Sequence, residues 1–188
     1  MSVLRTVGEG EAEREVARFY EEDREDLGYV PQYTRVMALA PAALAAFEEL
    51  AGAIAGRLGK RRYELATLAA ARAIGSSHCL LAHGRKSLRL FPEEQLIRIA
   101  RDYRDAGLSP AEVALMDYAE RLSRDASVMG DADVLRLREH GFTDPEIVDI
   151  ALAASLRNYY SRALLALGTE VDVPRELSPE LQDALLGR

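Results

Sequence analysis

The sequence contains a single cysteine, Cys79, among its 188 residues. One cysteine excludes a disulfide within the chain and the usual structural zinc sites, which need several cysteine or histidine ligands. We therefore expect a reducing compartment, the cytoplasm. The stretch from Met1 to Phe19 has no uninterrupted apolar run behind a basic start, so a signal peptide is not expected.

Long apolar runs and an excess of positive charge are also missing. No apolar run approaches the length of about 18 residues that a membrane span requires. The formal net charge is -7, whereas a protein that binds nucleic acid needs a basic face. Neither nucleic acid nor a membrane is therefore expected as a partner.

Strand signals are absent as well. No segment alternates strictly between apolar and polar residues, and no Asn-Gly turn occurs. Helix start signals are present instead, at Ser109 to Glu112 and at Thr143 to Glu146. The sequence predicts an all-α fold with one domain over residues 1–188. Within it we expect an N-terminal helical extension over about 1–40 and a C-terminal tail over about 170–188.

The last long helix is predicted to be apolar on more than one side. Ile147 and Ile150 lie on one side, and Val148 and Leu152 lie on another. A helix that is apolar all round lies inside a core or between subunits. The polar tail that follows has one more helix start signal, at Ser178, and is expected to pack on a neighbouring chain or to fray.

The chemically richest stretch runs from Glu64 to Gly84, with a break at Gly75. Cys79 and His83 are four residues apart, so a helix places them on one face with Cβ atoms about 5–6 Å apart, within hydrogen-bond reach. If the segments on either side of Gly75 fold back on each other, the helical rise leaves about 7 Å between Glu64 and His83. A long side chain or one water bridges that gap. The stretch therefore predicts a relay from the glutamate through the histidine to the thiol, in an antiparallel helical hairpin.

We expect the thiol of Cys79 to be reactive. Ser76 or Ser77 can cap the helix that follows Gly75, which places Cys79 in its first turn. The positive end of a helix and a neighbouring imidazolium both favour the thiolate, which is the attacking form. The alternative is an inert cysteine packed in the core, with His83 as a core histidine.

Two further residues of this stretch are candidates for the site. His78 points about 100° away from the adjacent Cys79 around the helix, so we expect it to face solvent or another subunit, where it assists electrostatically or gates access. Ser76 is expected to be a helix cap rather than a nucleophile, because no base is placed for it. A metal site built from His78, His83 and Glu64 is disfavoured, because the two histidines are five residues apart instead of four.

This arrangement resembles a known family. Glu64, Cys79 and His83 stand at the spacing found in the AhpD-like alkylhydroperoxidases of the carboxymuconolactone decarboxylase superfamily, and His78 also matches. Residues 29–33, Tyr-Val-Pro-Gln-Tyr, resemble the uncharacterised peroxidase-related branch of that superfamily. In the family, one cysteine attacks the peroxide and becomes a sulfenic acid, which the other cysteine resolves as a disulfide.

The resemblance implies a thiol-dependent hydroperoxide reductase of the AhpD-like fold. Cys79 takes the place of the attacking cysteine, but Ser76 replaces the resolving one, so an external thiol reductant or a cysteine of another chain must resolve the sulfenic acid. His83 would accept the thiol proton, and Glu64 would orient the imidazole. The resemblance implies no cofactor, neither haem nor flavin, and a homo-oligomer such as a trimer or hexamer.

Two alternatives remain open. One is a lyase similar to carboxymuconolactone decarboxylase, in which His83 and Glu64 act as acid and base without the thiol. The other is a helical oligomer or binding module with no catalytic activity.

Overall fold

The computed structural model describes residues 3–187, so positions 1, 2 and 188 of the predicted domain lie outside the described part. The described residues form helices and no strand, which confirms the all-α prediction. None of these helices is both long enough and apolar enough to cross a membrane.

The helices are α1 (Arg14–Leu27), α2 (Gln32–Met37), α3 (Pro41–Leu58), α4 (Lys60–Ile74), α5 (Ser77–Ser87), α6 (Glu93–Asp102), α7 (Pro110–Arg124), α8 (Asp131–Glu139), α9 (Asp144–Ala166) and α10 (Pro179–Leu186).

Local start and stop signals set most of these boundaries. At the start of α7, the amide of Glu112 donates to Ser109 Oγ (3.3 Å) and the amide of Ser109 donates to the Glu112 carboxylate (2.9 Å). This reciprocal capping satisfies two amides that a helix N-terminus otherwise leaves free. Helix α3 begins with Pro41 in its first turn, where a proline is favoured, and ends before Gly59.

Helix α4 lies at the centre of the molecule and packs against α5, α7 and α9. Every residue from Tyr63 to Ala71 is buried. Many of these side chains are alanines, whose small size lets neighbouring helices approach closely on several sides. Because the helix is surrounded in this way, Glu64 is carried into the interior.

Helices α4 and α5 form the predicted antiparallel hairpin. Gly75 adopts a left-handed conformation with a φ of 76°. The amide of Gly75 donates to Arg72 O (3.1 Å), and the amide of Ser76 donates to Ala71 O (3.0 Å). These two bonds are those of a Schellman ending, which favours glycine at the left-handed position. The chain therefore reverses within two residues, and α5 returns along α4.

Helix α9 buries one face and exposes the other. Ile147, Ile150 and Ala154 are buried, whereas Val148 is 55% exposed and Leu152 is 43% exposed. The second apolar side of the helix is therefore not covered by the described residues of this chain. Its burial between subunits stays a prediction.

The C-terminal tail, as far as residue 187, packs on its own chain, whereas the prediction was that it would pack on a neighbouring chain or fray. Helix α10 packs on α5 and α6 of the same chain. Leu181, Ala184 and Leu185 are buried, and their spacing of three and four residues makes one apolar stripe. The predicted extent of the single domain and of its two terminal segments stays a prediction.

The contact between α5 and α10 depends on Gly84. A Cβ atom at this position would overlap Leu185 Cδ1.

Urea unfolding of Gly84→Ala tests this contact. We expect the substitution to lower the free energy of unfolding by about 1–3 kcal/mol, the usual cost of overpacking. Gly56→Ala is the control, because α3 leaves open space there; it should stabilise the protein by about 0.5–1 kcal/mol. A Gly84→Ala variant as stable as the wild type would contradict this packing.

Candidate active site

A cavity of about 370 Å³ contains the predicted site. Three of the residues that line it, His78, Cys79 and His83, come from α5. Aromatic side chains form much of the wall, namely Tyr29, Tyr33, Phe47, Tyr63 and Tyr160. A concave, largely apolar site with a few convergent polar groups is typical of small-molecule binding.

Two terminal segments cover this cavity. Tyr29 and Tyr33 contribute from the N-terminal side, and Asp172 and Pro174 from the chain that follows α9. The two covers are joined, because the amide of Gln32 donates to Asp172 Oδ2 (2.7 Å). The cavity is thus formed by the helical core and closed by segments distant in sequence.

The thiol of Cys79 is only 2% exposed and is held by α9. Ser161 Oγ donates a hydrogen bond to Sγ (3.0 Å), and Arg157 Nη1 donates another (3.4 Å). Cys79 is the third residue of α5, so it lies in the first turn, as predicted. A helix start, a hydroxyl and a guanidinium therefore surround one sulfur.

Glu64 and His83 are in direct contact, so no water is needed to bridge them. His83 Nδ1 lies 2.7 Å from Glu64 Oε2, and both side chains are buried. Burial raises the pKa of Glu64, but the adjacent His83 outweighs that effect, so the pKa lies below its ordinary value. Burial, followed by the charge of Arg157, lowers the pKa of His83 to about 4.

At neutral pH these shifts give an ionised carboxylate and a neutral imidazole. The Nδ1–H of His83 donates to Glu64, which leaves a lone pair on Nε2. Nε2 has no hydrogen-bond partner within residues 3–187, and His83 lines the cavity. The ring is therefore oriented as a base toward the cavity.

Two details of the predicted relay are wrong. Among the described residues, no hydrogen bond links Cys79 to His83; the thiol bonds to α9 instead. The predicted imidazolium is absent at neutral pH, because burial disfavours the charged ring. The cation that contacts the sulfur is the guanidinium of Arg157.

The predicted environment of His78 is also wrong. The side chain is 5% exposed and does not face solvent. Its Nε2 donates to Thr169 O (2.8 Å), because the chain after α9 folds back over α5. In the described part of the molecule, Nδ1 of this ring is buried without a hydrogen-bond partner.

Ser76 occupies the cap position of α5 but does not cap it. Its side chain accepts no bond from the first turn. The hydroxyl is buried and unpartnered among residues 3–187, because the Schellman ending of α4 fixes the Ser76 backbone. The disfavoured metal site is not assembled either: no group of three His, Cys, Asp or Glu side chains suited to a metal ion occurs in the described chain.

Sequence analysis missed Arg157 and Ser161. Both lie on α9 at helical spacing from the buried Ile150 and Ala154. An arginine and a serine, four residues apart, therefore continue an otherwise apolar stripe. A charged residue at a predicted core position is the signal that could have identified them.

The chain is similar to a known family and to several solved structures. Residues 41–121 match the model of the carboxymuconolactone decarboxylase family. The chain has the AhpD-like helical fold. It is similar to an alkylhydroperoxidase AhpD core structure, an uncharacterized peroxidase-related protein from Ralstonia eutropha JMP134, at 24% identity over 98% of this chain and 96% of that one, with a TM-score of 0.80.

Two more solved structures share this fold. One is an uncharacterized peroxidase-related protein from Silicibacter sp. TM1040, at 25% identity over 91% of this chain and 92% of that one, with a TM-score of 0.78. The other is a cysteine-to-alanine form of the debrominase Bmp8 in complex with 2,3,4-tribromopyrrole, at 14% identity over 98% of each chain, with a TM-score of 0.74. No curated protein sequence matches the chain significantly.

The neutral state of His83 predicts how stability changes with pH. Between pH 6.5 and about 4 the unfolded chain binds a proton at His83 while the folded chain does not. This residue therefore lowers stability as the pH falls through that window, by roughly 1–3 kcal/mol in total. Asp23 acts in the opposite direction, because burial raises its pKa to about 6.

The contribution of His83 is isolated by comparing variants in urea unfolding at pH 7 and pH 5. We expect His83→Asn to lose less stability on acidification than the wild type. His140→Asn, a histidine at the end of α8, should keep the wild-type difference. An unchanged pH dependence in His83→Asn would contradict the buried neutral ring.

Proposed function

We propose that this protein is a thiol-dependent hydroperoxide reductase that acts through Cys79. The observation that supports it most is the buried 2.7 Å hydrogen bond between His83 and Glu64 in the cavity that also holds the only cysteine. A base oriented by a carboxylate beside a nucleophile is the usual arrangement for activating a thiol. The match of residues 41–121 to the carboxymuconolactone decarboxylase family model and the AhpD-like fold are consistent with this proposal.

The first half of the reaction oxidises the cysteine. His83 Nε2 takes the thiol proton, directly or through one water, while Glu64 stabilises the resulting imidazolium. The Cys79 sulfur attacks the terminal oxygen of ROOH, the O–O bond breaks, and RO⁻ takes the proton from His83 to leave as an alcohol. Cys79 becomes a sulfenic acid, and the peroxide has been reduced by two electrons.

The second half needs thiols from outside the chain. Ser76 cannot form a disulfide, so a thiol R′SH attacks the sulfenic acid, releases water and leaves a mixed disulfide on Cys79. A second R′SH then attacks the outer sulfur, releasing R′SSR′ and the free cysteine. The products balance as ROOH + 2 R′SH giving ROH, water and R′SSR′.

We also propose that the protein works as a cytoplasmic homo-oligomer, such as a trimer or hexamer. The exposed apolar side of α9, with Val148, Leu152 and Tyr159, supports an assembly through that helix. The single cysteine supports a reducing compartment.

Replacing the thiol separates this function from its alternatives. We expect Cys79→Ser to abolish hydroperoxide consumption in the presence of a small thiol, because serine cannot form a sulfenic acid. A lyase that uses His83 and Glu64 would keep its activity in the same variant, as the name of the matching family allows. A wild-type protein that consumes no hydroperoxide with several thiol donors would favour the non-catalytic alternative.

Restoring a second cysteine tests the role of Ser76. We expect Ser76→Cys to form an internal disulfide with Cys79 on limited peroxide treatment, seen as a loss of two hydrogens in the intact mass and a loss of free thiol. Ser77→Cys is the matched control, because it adds a thiol one residue away, at the wrong spacing. Failure of Ser76→Cys to form the bond, with both thiols still free, would contradict attack by Cys79 at this position.

A further inference from the structure

Arg157 is a buried cation without a carboxylate partner. Its side chain is 4% exposed, and no carboxylate within residues 3–187 forms an ion pair with it. Arg85 provides a contrast, since it is 8% exposed and pairs with both Asp26 and Glu176. A buried charge is costly unless an opposite charge compensates it. The guanidinium contacts the sulfur of Cys79 instead, and its positive charge also lowers the pKa of the nearby Glu64.

We propose that Arg157 and Ser161 are catalytic residues of this site, which stabilise the thiolate of Cys79 by two convergent hydrogen bonds. This assignment rests on the proposed function. Under this proposal, Arg157 and Ser161 of α9 stabilise negative charge on the sulfur, whereas His83 and Glu64 transfer the proton.

The geometry around the guanidinium supports this role. Arg157 Nη1 lies 3.4 Å from Sγ, and Ser161 Oγ lies 3.0 Å from it. Hydrogen bonds from a charged donor to an anion are stronger than neutral ones. The rings of Phe47 and Tyr160 lie 5.9 Å and 5.7 Å from Arg157 Cζ, so aromatic faces hold the cation beside the thiol.

The unused donors of Arg157 argue against a purely structural arginine. A structural arginine in a core is usually tied into a network, as Arg85 is. In the described chain, Arg157 Nε is buried without a hydrogen-bond partner. The guanidinium contacts the sulfur of Cys79 and the rings of Phe47 and Tyr160, and it also interacts with Tyr63.

The charges around Cys79 agree with this reading. Burial lowers the pKa of Arg157, but its interactions with Cys79 and Tyr63 raise it more, so the pKa lies above its ordinary value. The neutral His83 supplies no positive charge at pH 7. The titratable or charged groups that share the cavity are Tyr63 from α4, His78, His83, Arg85 and Lys86 from α5, Tyr160 from α9, Asp23 and Asp26 from α1, Glu48 from α3, and Tyr29, Tyr33 and Asp172 from the covers.

Alkylation of Cys79 by iodoacetamide as a function of pH tests the proposal without peroxide. We expect Arg157→Met to move the midpoint of the alkylation profile to higher pH by at least about one unit, which is a tenfold loss of thiolate at lower pH. Arg157→Lys should fall between that variant and the wild type, and Ser161→Ala should give a smaller shift. Arg162→Met removes a charge from an exposed position of α9 and should leave the profile unchanged.

If Arg157→Met folds poorly, the shifts of the alkylation profile in Ser161→Ala and Arg157→Lys decide the test. If it folds, a stability measurement gives a second, independent test. With Cys79→Ser alone, the buried guanidinium loses its counter-charge, so the urea midpoint should fall. The same substitution in an Arg157→Met background should lower the midpoint less, since no cation is left to compensate. Equal effects of Cys79→Ser in both backgrounds, or an alkylation profile that is unchanged in Arg157→Met, would overturn the proposal.

The outcome is separable from the proposed function. A protein whose alkylation midpoint rises in Arg157→Met but which consumes no hydroperoxide would leave the role of Arg157 standing and reject the reductase. A protein that consumes hydroperoxide while Arg157→Met keeps the wild-type alkylation profile would support the reductase and reject the role of Arg157. His83→Asn should slow hydroperoxide consumption with little change in the alkylation midpoint.

Discussion

The hydrogen bond between His83 and Glu64 depends on one geometric constraint, the tight reversal at Gly75. The Schellman ending of α4 turns the chain in two residues, so α5 runs back beside the helix it has just left. Burial of α4 on several sides then takes the carboxylate and the imidazole out of water together. A buried carboxylate is stable only with a partner, and His83 provides one.

Burial also determines which residues of the site carry a charge. Glu64 is ionised, His83 is neutral, and the positive charge beside the sulfur belongs to Arg157 on α9. A fixed cation and a neutral base are suited to different steps, since one stabilises an anion and the other carries a proton. The cavity joins these groups because α4, α5 and α9 meet at the centre of the fold.

Local signals in the sequence were enough for the helices and for half of the site. Helix ends follow capping residues and glycines, and Glu64 and His83 meet because a hairpin closes over only 19 residues. Arg157, by contrast, is 78 residues from Cys79, and no local pattern predicts which helices will pack together. The surroundings of His78 were mispredicted for the same reason, since they depend on Thr169, 91 residues away.

The central claim is that the sulfur of Cys79 is the atom that reduces a hydroperoxide. Intact-mass spectrometry of the wild-type chain after limited peroxide, with and without a small thiol, tests it most directly. The account predicts the gain of one oxygen atom on Cys79 without thiol and a mixed disulfide at the same residue with thiol. A chain whose mass is unchanged under both conditions, or which is oxidised elsewhere while Cys79 stays free, would contradict it.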